Sequence, residues 1–313
     1  MTTAFLFPGQ GSQSVGMGRE LAAASTAARA VFQEVDDALG QNLSRIMFDG
    51  PDDTLMLTAN AQPAIMAFSM ALLKVMEQEG GLRLAEKAAF VAGHSLGEYS
   101  ALAAAGSLTL PDTARLLRLR GEAMQAAVAP GVGAMAAILG LDLKAVEAIA
   151  AEASVEGEIC AAANDNAPGQ VVVSGHKTAV DRAIALAKTA GARRAMALAV
   201  SAPFHCALMA PAADKMQAAL ADIAMQAPLV PIVTNVTAQP VSDVAEIKRL
   251  LVVQVTELVR WRESIETLHA MGVGRFVEIG GRILAPIVKR IVPDAETISI
   301  TSMQTVEQAV RDL

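Results

Sequence analysis

Gly93-His94-Ser95-Leu96-Gly97 is a G-x-S-x-G run that follows a predicted buried strand (88–93) and precedes a predicted helix. This is the setting of a nucleophile elbow, in which a tight strand-to-helix turn exposes a serine hydroxyl. Gly93 and Gly97 remove side chains that would clash at the turn. The amide of Leu96, at a helix N-terminus, points toward a bound carbonyl oxygen. On the pentapeptide alone, a serine in an ordinary strand–turn–helix junction competes with this reading, because short motifs match by chance.

A free hydroxyl is a weak nucleophile at neutral pH, so Ser95 needs a base. Of the four histidines, His94 adjoins the nucleophile and is expected to point away from it. His176 opens a helix and His269 sits on one, positions that suit solvated or partly buried residues. His205 lies in a proline-braced loop, Ser201-Ala-Pro-Phe-His-Cys206, and a braced loop suits a base that must be held. No Asp or Glu lies close by in sequence to complete a triad, which leaves the orienting group open. Cys206 is a rival nucleophile, but adjacent side chains diverge and Cys is a common buried filler. In the loop 8–14, Gln10 stands between Gly9 and Gly11. No Lys after Gly16 completes a P-loop, and no G-x-G-x-x-G spacing is present. A tight turn at a strand end can instead present a backbone amide as the second oxyanion donor, and Gln10 fits that role.

The elements that must position these residues follow from hydrophobic periodicity and turn residues. Strands are expected at 4–7 and 88–93, with helices over 19–39 and 62–78. The middle of the chain changes rhythm: strand 133–139, helix 142–153 capped by Asp142, strand 158–162, turn-rich 164–169, strand 170–174, helix 177–190, strand 193–199. That order is β-α-β-β-α-β, the ferredoxin-like unit. Strands at 232–235 and 275–279 and helices at 243–259 and 261–271 then resume the first pattern. The fold class is therefore α/β. A large α/β-hydrolase-like domain (1–128 and 199–313) is interrupted by a ferredoxin-like subdomain (129–198).

Composition narrows the function classes. The 313 residues are 53% hydrophobic but 3% aromatic, so the core must be built from Ala, Val, Leu, Ile and Met. Two stretches without Asp, Glu, Lys or Arg, 123–141 and 195–213, approach the length of a membrane span. Both are dominated by Ala and broken by Pro or Gly, and read as buried soluble segments. The N-terminus has no basic region ahead of its short apolar run, unlike a signal peptide. Cys160 and Cys206 give neither a disulfide framework nor a metal-ligand spacing, and fit a reducing cytoplasm. The net charge of −7 argues against nucleic acid as a partner.

Six motifs in order then resemble one family, the malonyl-CoA:acyl carrier protein transacylases. They are Phe7-Pro-Gly-Gln-Gly-Ser-Gln13, Gly93-His-Ser-Leu-Gly-Glu-Tyr-Ser-Ala-Leu102, Arg120-Gly-Glu-Ala-Met124, Gly131-Val-Gly-Ala-Met135, Asn166-Ala-Pro-Gly-Gln170 and Pro203-Phe-His205. The resemblance implies that Ser95 is acylated, His205 is its base, and the amides of Gln10 and Leu96 hold the oxyanion. It implies that Arg120 binds the malonyl carboxylate, with Met124 and Phe204 also substrate-binding. Phe204 resembles the family's malonyl-selecting choice over branched units. Gln254 matches the residue that orients the histidine through a hydrogen bond. Two positions depart from the pattern: Leu258 precedes Trp261 where the family has Pro, and Gly280-Gly281 stands where it has Gly-Pro.

The implied partners are malonyl-CoA and acyl carrier protein, in the service of fatty acid synthesis. The expected enzyme is a cytoplasmic monomer that binds no membrane and no metal. No cofactor is implied, since coenzyme A and the carrier's phosphopantetheine enter as parts of the substrates. Those partners are anionic and so is this chain, so local basic patches must override the global charge within the roughly 10 Å reach of exposed charges. Lys177, Arg182, Lys188, Arg193 and Arg194 form one candidate patch, and Arg282, Lys289 and Arg290 another.

Overall fold

The computed structural model describes residues 1–200 and 202–313. Its strands, in chain order, are β1 (Thr2–Phe7), β2 (Phe90–Gly93), β3 (Gly133–Leu139), β4 (Cys160–Ala167), β5 (Gln170–His176), β6 (Arg194–Ala197), β7 (Ile232–Val233), β8 (Pro240–Val241), β9 (Val273–Ile279) and β10 (Glu296–Ile300). Six of them form one sheet in the order β10-β9-β1-β2-β7-β8, parallel except for the β7–β8 pair.

A parallel sheet is covered on both faces, so its central strands are apolar on both sides. Along β1, alternation sends Phe5 and Phe7 into one core and Ala4 and Leu6 into the other. The long helix Thr58–Gln78 packs in the first core. Trp261–Ala270 and Leu284–Ile291 close the second. β1 and β2 run side by side, with Phe7 opposite Gly93, so the loop after β1 and the turn after β2 emerge together at the C-terminal edge of the sheet. In open α/β sheets this edge is where ligands bind.

The remaining strands form an antiparallel sheet in the order β4-β5-β3-β6, with the ferredoxin-like connectivity expected from sequence. Its helices, Leu143–Ala153 and Lys177–Thr189, cover one face against Ala136, Ile138, Val171 and Val173. The pleat turns Met135 and Val172 the other way, into the core of the large sheet. We propose 129–198 as the inserted unit and 1–128 with 199–313 as its host, since the antiparallel sheet and its own core fall within the former.

Four elements differ from expectation. Ser25 splits the helix expected over 19–39 into Arg19–Ala24 and Thr26–Leu39, where its side chain caps the second piece by accepting from Ala28 N–H. Asn164, Asp165 and Asn166 lie within β4 rather than in a turn, with irregularities of register on either side. Their strand is fixed from outside: Asp165 N–H donates to Val259 O at 3.0 Å, Val259 N–H donates to Ala163 O at 2.9 Å, and the Asp165 carboxylate pairs with Arg262 at 2.8 Å. The helix expected over 243–259 stops at Val253, and β10 was not expected at all. Among the described residues, no helix is long and apolar enough to cross a membrane.

Candidate active site

β2 ends at Gly93 and the helix Gly97–Ala104 begins four residues later. A Cβ on Gly93 would lie 1.9 Å from Gly97 O, and one on Gly97 would lie 2.2 Å from Phe7 O, so no other residue fits either place. Between them Ser95 has φ 54°, left-handed and uncommon for a residue with a side chain. Asn235, just past β7, clasps the turn with its amide. Its Oδ1 accepts from Ser95 N–H at 2.7 Å and its Nδ2 donates to Gly93 O at 2.7 Å.

His205 reaches the serine from the other side. The braced loop contains Ser201, which lies outside the described residues; from Ala202 to Cys206 it is buried. Pro203 packs where a Cβ on Gly133 of β3 would intrude, at 2.3 Å, and Cys206 Sγ donates to Pro203 O at 3.2 Å. His205 is itself left-handed, φ 58°. Its Nε2 is 2.8 Å from Ser95 Oγ, and its Nδ1 is 2.8 Å from the main-chain oxygen of Gln254. A carbonyl only accepts, so Nδ1 carries the proton and Nε2 is bare to receive one from the serine. Gln254 caps the end of the helix Val244–Val253, where a carbonyl has no helical partner. Had the helix continued to 259 as expected, that carbonyl would have been used internally.

Arg120, on the helix Leu110–Ala126, is fully buried at the base of the site. Its Nη1 donates to Gln62 Oε1 at 2.8 Å, and its Nη2 donates to Ser95 Oγ at 3.1 Å and Gln254 Oε1 at 2.9 Å. The guanidinium carbon lies 5.8 Å from the centre of the Tyr99 ring. Burial lowers its pKa, opposed by Tyr99 and Glu98, and it stays a cation at neutral pH. Burial first, then the Arg120 charge, lowers His205 from 6.5 to about 3, so the imidazole is neutral and ready to accept a proton. Glu98, under the elbow, is pushed up by burial to about 7, with the Gln254 and Asn235 hydrogen bonds and the Arg120 charge opposing.

These groups open onto a cavity of about 260 Å³ whose walls include Gln10, Leu96, Arg120, Phe204 and His205 with Ser95. Met135 and Val172 roof it from the antiparallel sheet. Met124 does not line it; it sits behind Gln62, whose Nε2 is 3.8 Å from the Met124 sulfur. A wider cavity of about 890 Å³ shares Gly11 and Gln13 with this one, but no histidine or cysteine lines it.

The other histidines are engaged elsewhere. His94 Nε2 is 2.8 Å from Asn166 Oδ1 of β4, with its ring against Trp261, and burial lowers its pKa. His176 Nδ1 accepts from Ile159 N–H, and His269 Nδ1 is 3.3 Å from Val273 O. Burial raises the thiol pKa of Cys206, the reverse of what a nucleophilic cysteine needs. Among the described residues, no three His, Cys, Asp or Glu side chains converge to hold a metal.

Gln62 and Asn235 were missed from sequence. Nothing local marks them, because each acts on partners far away in the chain. Of the basic residues, Lys177 and Arg182 pair with Asp181 and Glu158, while Lys188, Arg193 and Arg194 are exposed. Arg290 bridges to Gln170 and Pro168 of the inserted unit.

A nucleophile, its base and a buried cation within one small cavity suit acyl transfer from an anionic substrate. The acyl transferase domain family matches this sequence over residues 4–296. The chain belongs to the acyl transferase family. A relative from Bacillus subtilis strain 168, named malonyl CoA-acyl carrier protein transacylase, is 44% identical over 99% of this chain and 96% of its own length. Among solved structures, the acyl-carrier-protein-S-malonyltransferase of Bartonella henselae is 54% identical, with a TM-score of 0.97 over 100% of this chain and 99% of its own. A malonyl-transacylase solved in complex with a type II PKS acyl-carrier protein is 41% identical, with a TM-score of 0.96 over 100% of both chains. In this acyl transferase the parallel sheet supplies the serine edge and the antiparallel sheet roofs it.

Proposed function

We propose that the protein transfers the malonyl group of malonyl-CoA to the phosphopantetheine thiol of acyl carrier protein, through a malonyl ester on Ser95. The observation that carries this is the placement of the buried Arg120, with Nη2 at 3.1 Å from the Ser95 hydroxyl, on the wall of the same cavity. A guanidinium can grip a carboxylate through two parallel hydrogen bonds. An acyl group without a carboxylate would leave the cation buried and without that partner.

In the first half-reaction Ser95 Oγ attacks the thioester carbonyl as His205 Nε2 takes its proton. The amides of Gln10 and Leu96 receive the oxyanion, each donor contributing roughly 3 kcal/mol where such donors have been removed. The carbon–sulfur bond breaks, His205 returns the proton to sulfur, and coenzyme A leaves as the thiol. In the second half the carrier's thiol gives its proton to His205 and attacks the serine ester; collapse frees Ser95 and reprotonates its oxygen. Gln254 O holds the imidazole throughout, and Phe204 narrows the acyl pocket.

The steps balance without a cofactor or metal, and we propose a cytoplasmic monomer serving fatty acid synthesis. Two buried cysteines and the net charge of −7 support a reducing compartment and a non-nucleic-acid partner. Intact mass after brief exposure to malonyl-CoA, without carrier protein, tests the proposal. A malonyl adduct is expected on the wild type and absent from Ser95→Ala. Consumption of malonyl-CoA with no adduct would indicate hydrolysis, and no consumption would remove malonyl-CoA as the donor.

A further inference from the structure

Glu98 is enclosed beneath the elbow, 1% exposed, and takes no part in the steps above. Its Oε2 accepts from Gln254 Nε2 at 2.8 Å and from the main-chain N–H of Asn235 at 3.1 Å. The same Gln254 nitrogen donates to Ser95 O at 3.0 Å, while the amide's other end, Oε1, accepts from Arg120.

A primary amide has a donating end and an accepting end, and a guanidinium only donates. Were the Gln254 amide reversed, its N–H groups would face those of Arg120, and its oxygen would face the oxygens of Glu98 and Ser95. The acceptors around its nitrogen therefore decide whether Arg120 meets an acceptor or a donor. Burying a carboxylate is costly, and an apolar side chain of similar size would cost the fold less.

We propose that Glu98 is a positioning residue for malonyl recognition, setting the direction of the Gln254 amide so that it holds the Arg120 guanidinium beside Ser95. This rests on the malonyl-transfer reading. Glu98 acts through Gln254 rather than on the substrate. Its function is that of a hydrogen-bond acceptor, so a neutral acceptor of the same shape serves as well. Glutamine at this position can present its amide oxygen to both Gln254 and Asn235.

Three variants test this: Glu98→Met, which keeps the volume and leaves at most a weak thioether acceptor; Glu98→Ala, which is acceptor-free; and Glu98→Gln. Ser95 acylation by malonyl-CoA and by acetyl-CoA is followed for each by intact mass, alongside its thermal midpoint. Folded Glu98→Met or Glu98→Ala is expected to lose roughly ten- to a hundredfold in malonyl kcat/KM, the scale of a hydrogen bond serving a charged group. Acetyl transfer, which does not use the Arg120 carboxylate grip, should fall much less, and Glu98→Gln should recover most of the malonyl activity. Equal losses for the two acyl groups, no loss for either, or a Glu98→Gln as defective as Glu98→Met would overturn the inference while leaving wild-type acylation intact. A wild type that forms no malonyl adduct would instead overturn the transfer reading, and this inference with it.

Discussion

Ser95 and His205 share a left-handed backbone, φ 54° and 58°, yet they are held there by different kinds of force. Such a conformation costs a non-glycine residue about 1–2 kcal/mol, so the surroundings must impose it. At Ser95 much of the imposition is local. Gly93 and Gly97 admit the crossing of strand and helix, and they bracket the serine in sequence. At His205 it is remote: Gly133 makes room for Pro203, and the carbonyl that fixes the ring belongs to Gln254. The turn that holds Ser95 can be read from five consecutive residues, whereas His205 is legible as a candidate base but the distant groups that hold it are not.

The comparison can be broken most completely at the reacting atoms. The variant His205→Ala should slow malonyl-serine formation on the order of 10²- to 10⁴-fold, the range of general-base catalysis, with the fold kept. Rapid-quench mass spectrometry reads this directly, and an undiminished rate would remove His205 from the mechanism. Arg120→Ala comes next. It should lower malonyl transfer far more than acetyl transfer, and equal losses in competition assays would sink its assignment to the carboxylate.

Smaller effects sharpen the contrast between local and remote support. Gly97→Ala forces a Cβ against the Phe7 backbone, which cannot give way, and should cost about 3 kcal/mol or more of stability. Gly133→Ala meets the Pro203 ring first, and should cost less stability while displacing His205 and lowering kcat. Chemical denaturation beside single-turnover acylation separates the two; if Gly133→Ala is the less stable variant, the ordering fails.

The smallest effect is a pH dependence. His205 is neutral when folded, with a pKa of about 3, but titrates near 6.5 when unfolded. Below 6.5 the unfolded chain takes up a proton at His205 that the folded one does not, so this residue's contribution to stability falls as pH drops. At pH 5 the difference amounts to about 2 kcal/mol. His205→Gln should lack this increment, and parallel denaturation curves at pH 5 and pH 7.5 would expose its absence or presence.

What was legible in the sequence divides along the same line. The βαββαβ order of the inserted unit follows local periodicity and turn residues, and its antiparallel pairing agrees. Asn164 to Asn166 read as a turn because Asn and Asp are poor strand formers, but contacts to Val259 and Arg262 outweigh that preference. Gln254 came only through resemblance, and the group that meets His205 is its main-chain carbonyl, which no side-chain pattern encodes. Met124, one turn on from Arg120 and on the same side of the helix, packs one layer behind the site against Gln62.

The carbonyl of Gln254 has one further consequence. A carboxylate in its place would stabilise the charged ring and let it linger, whereas a neutral dipole beside a buried ring gives it little reason to persist. The imidazolium is then a strong, short-lived acid that hands its proton to the departing group, a thioester sulfur when Ser95 is acylated and Ser95 Oγ when it is released. In the proposed exchange the two sulfurs sit on near-identical pantetheine arms, so the ring has no preference between them. Such a site is a turnstile rather than a ratchet, and the direction of traffic is set by the supply of acyl donor and free thiol.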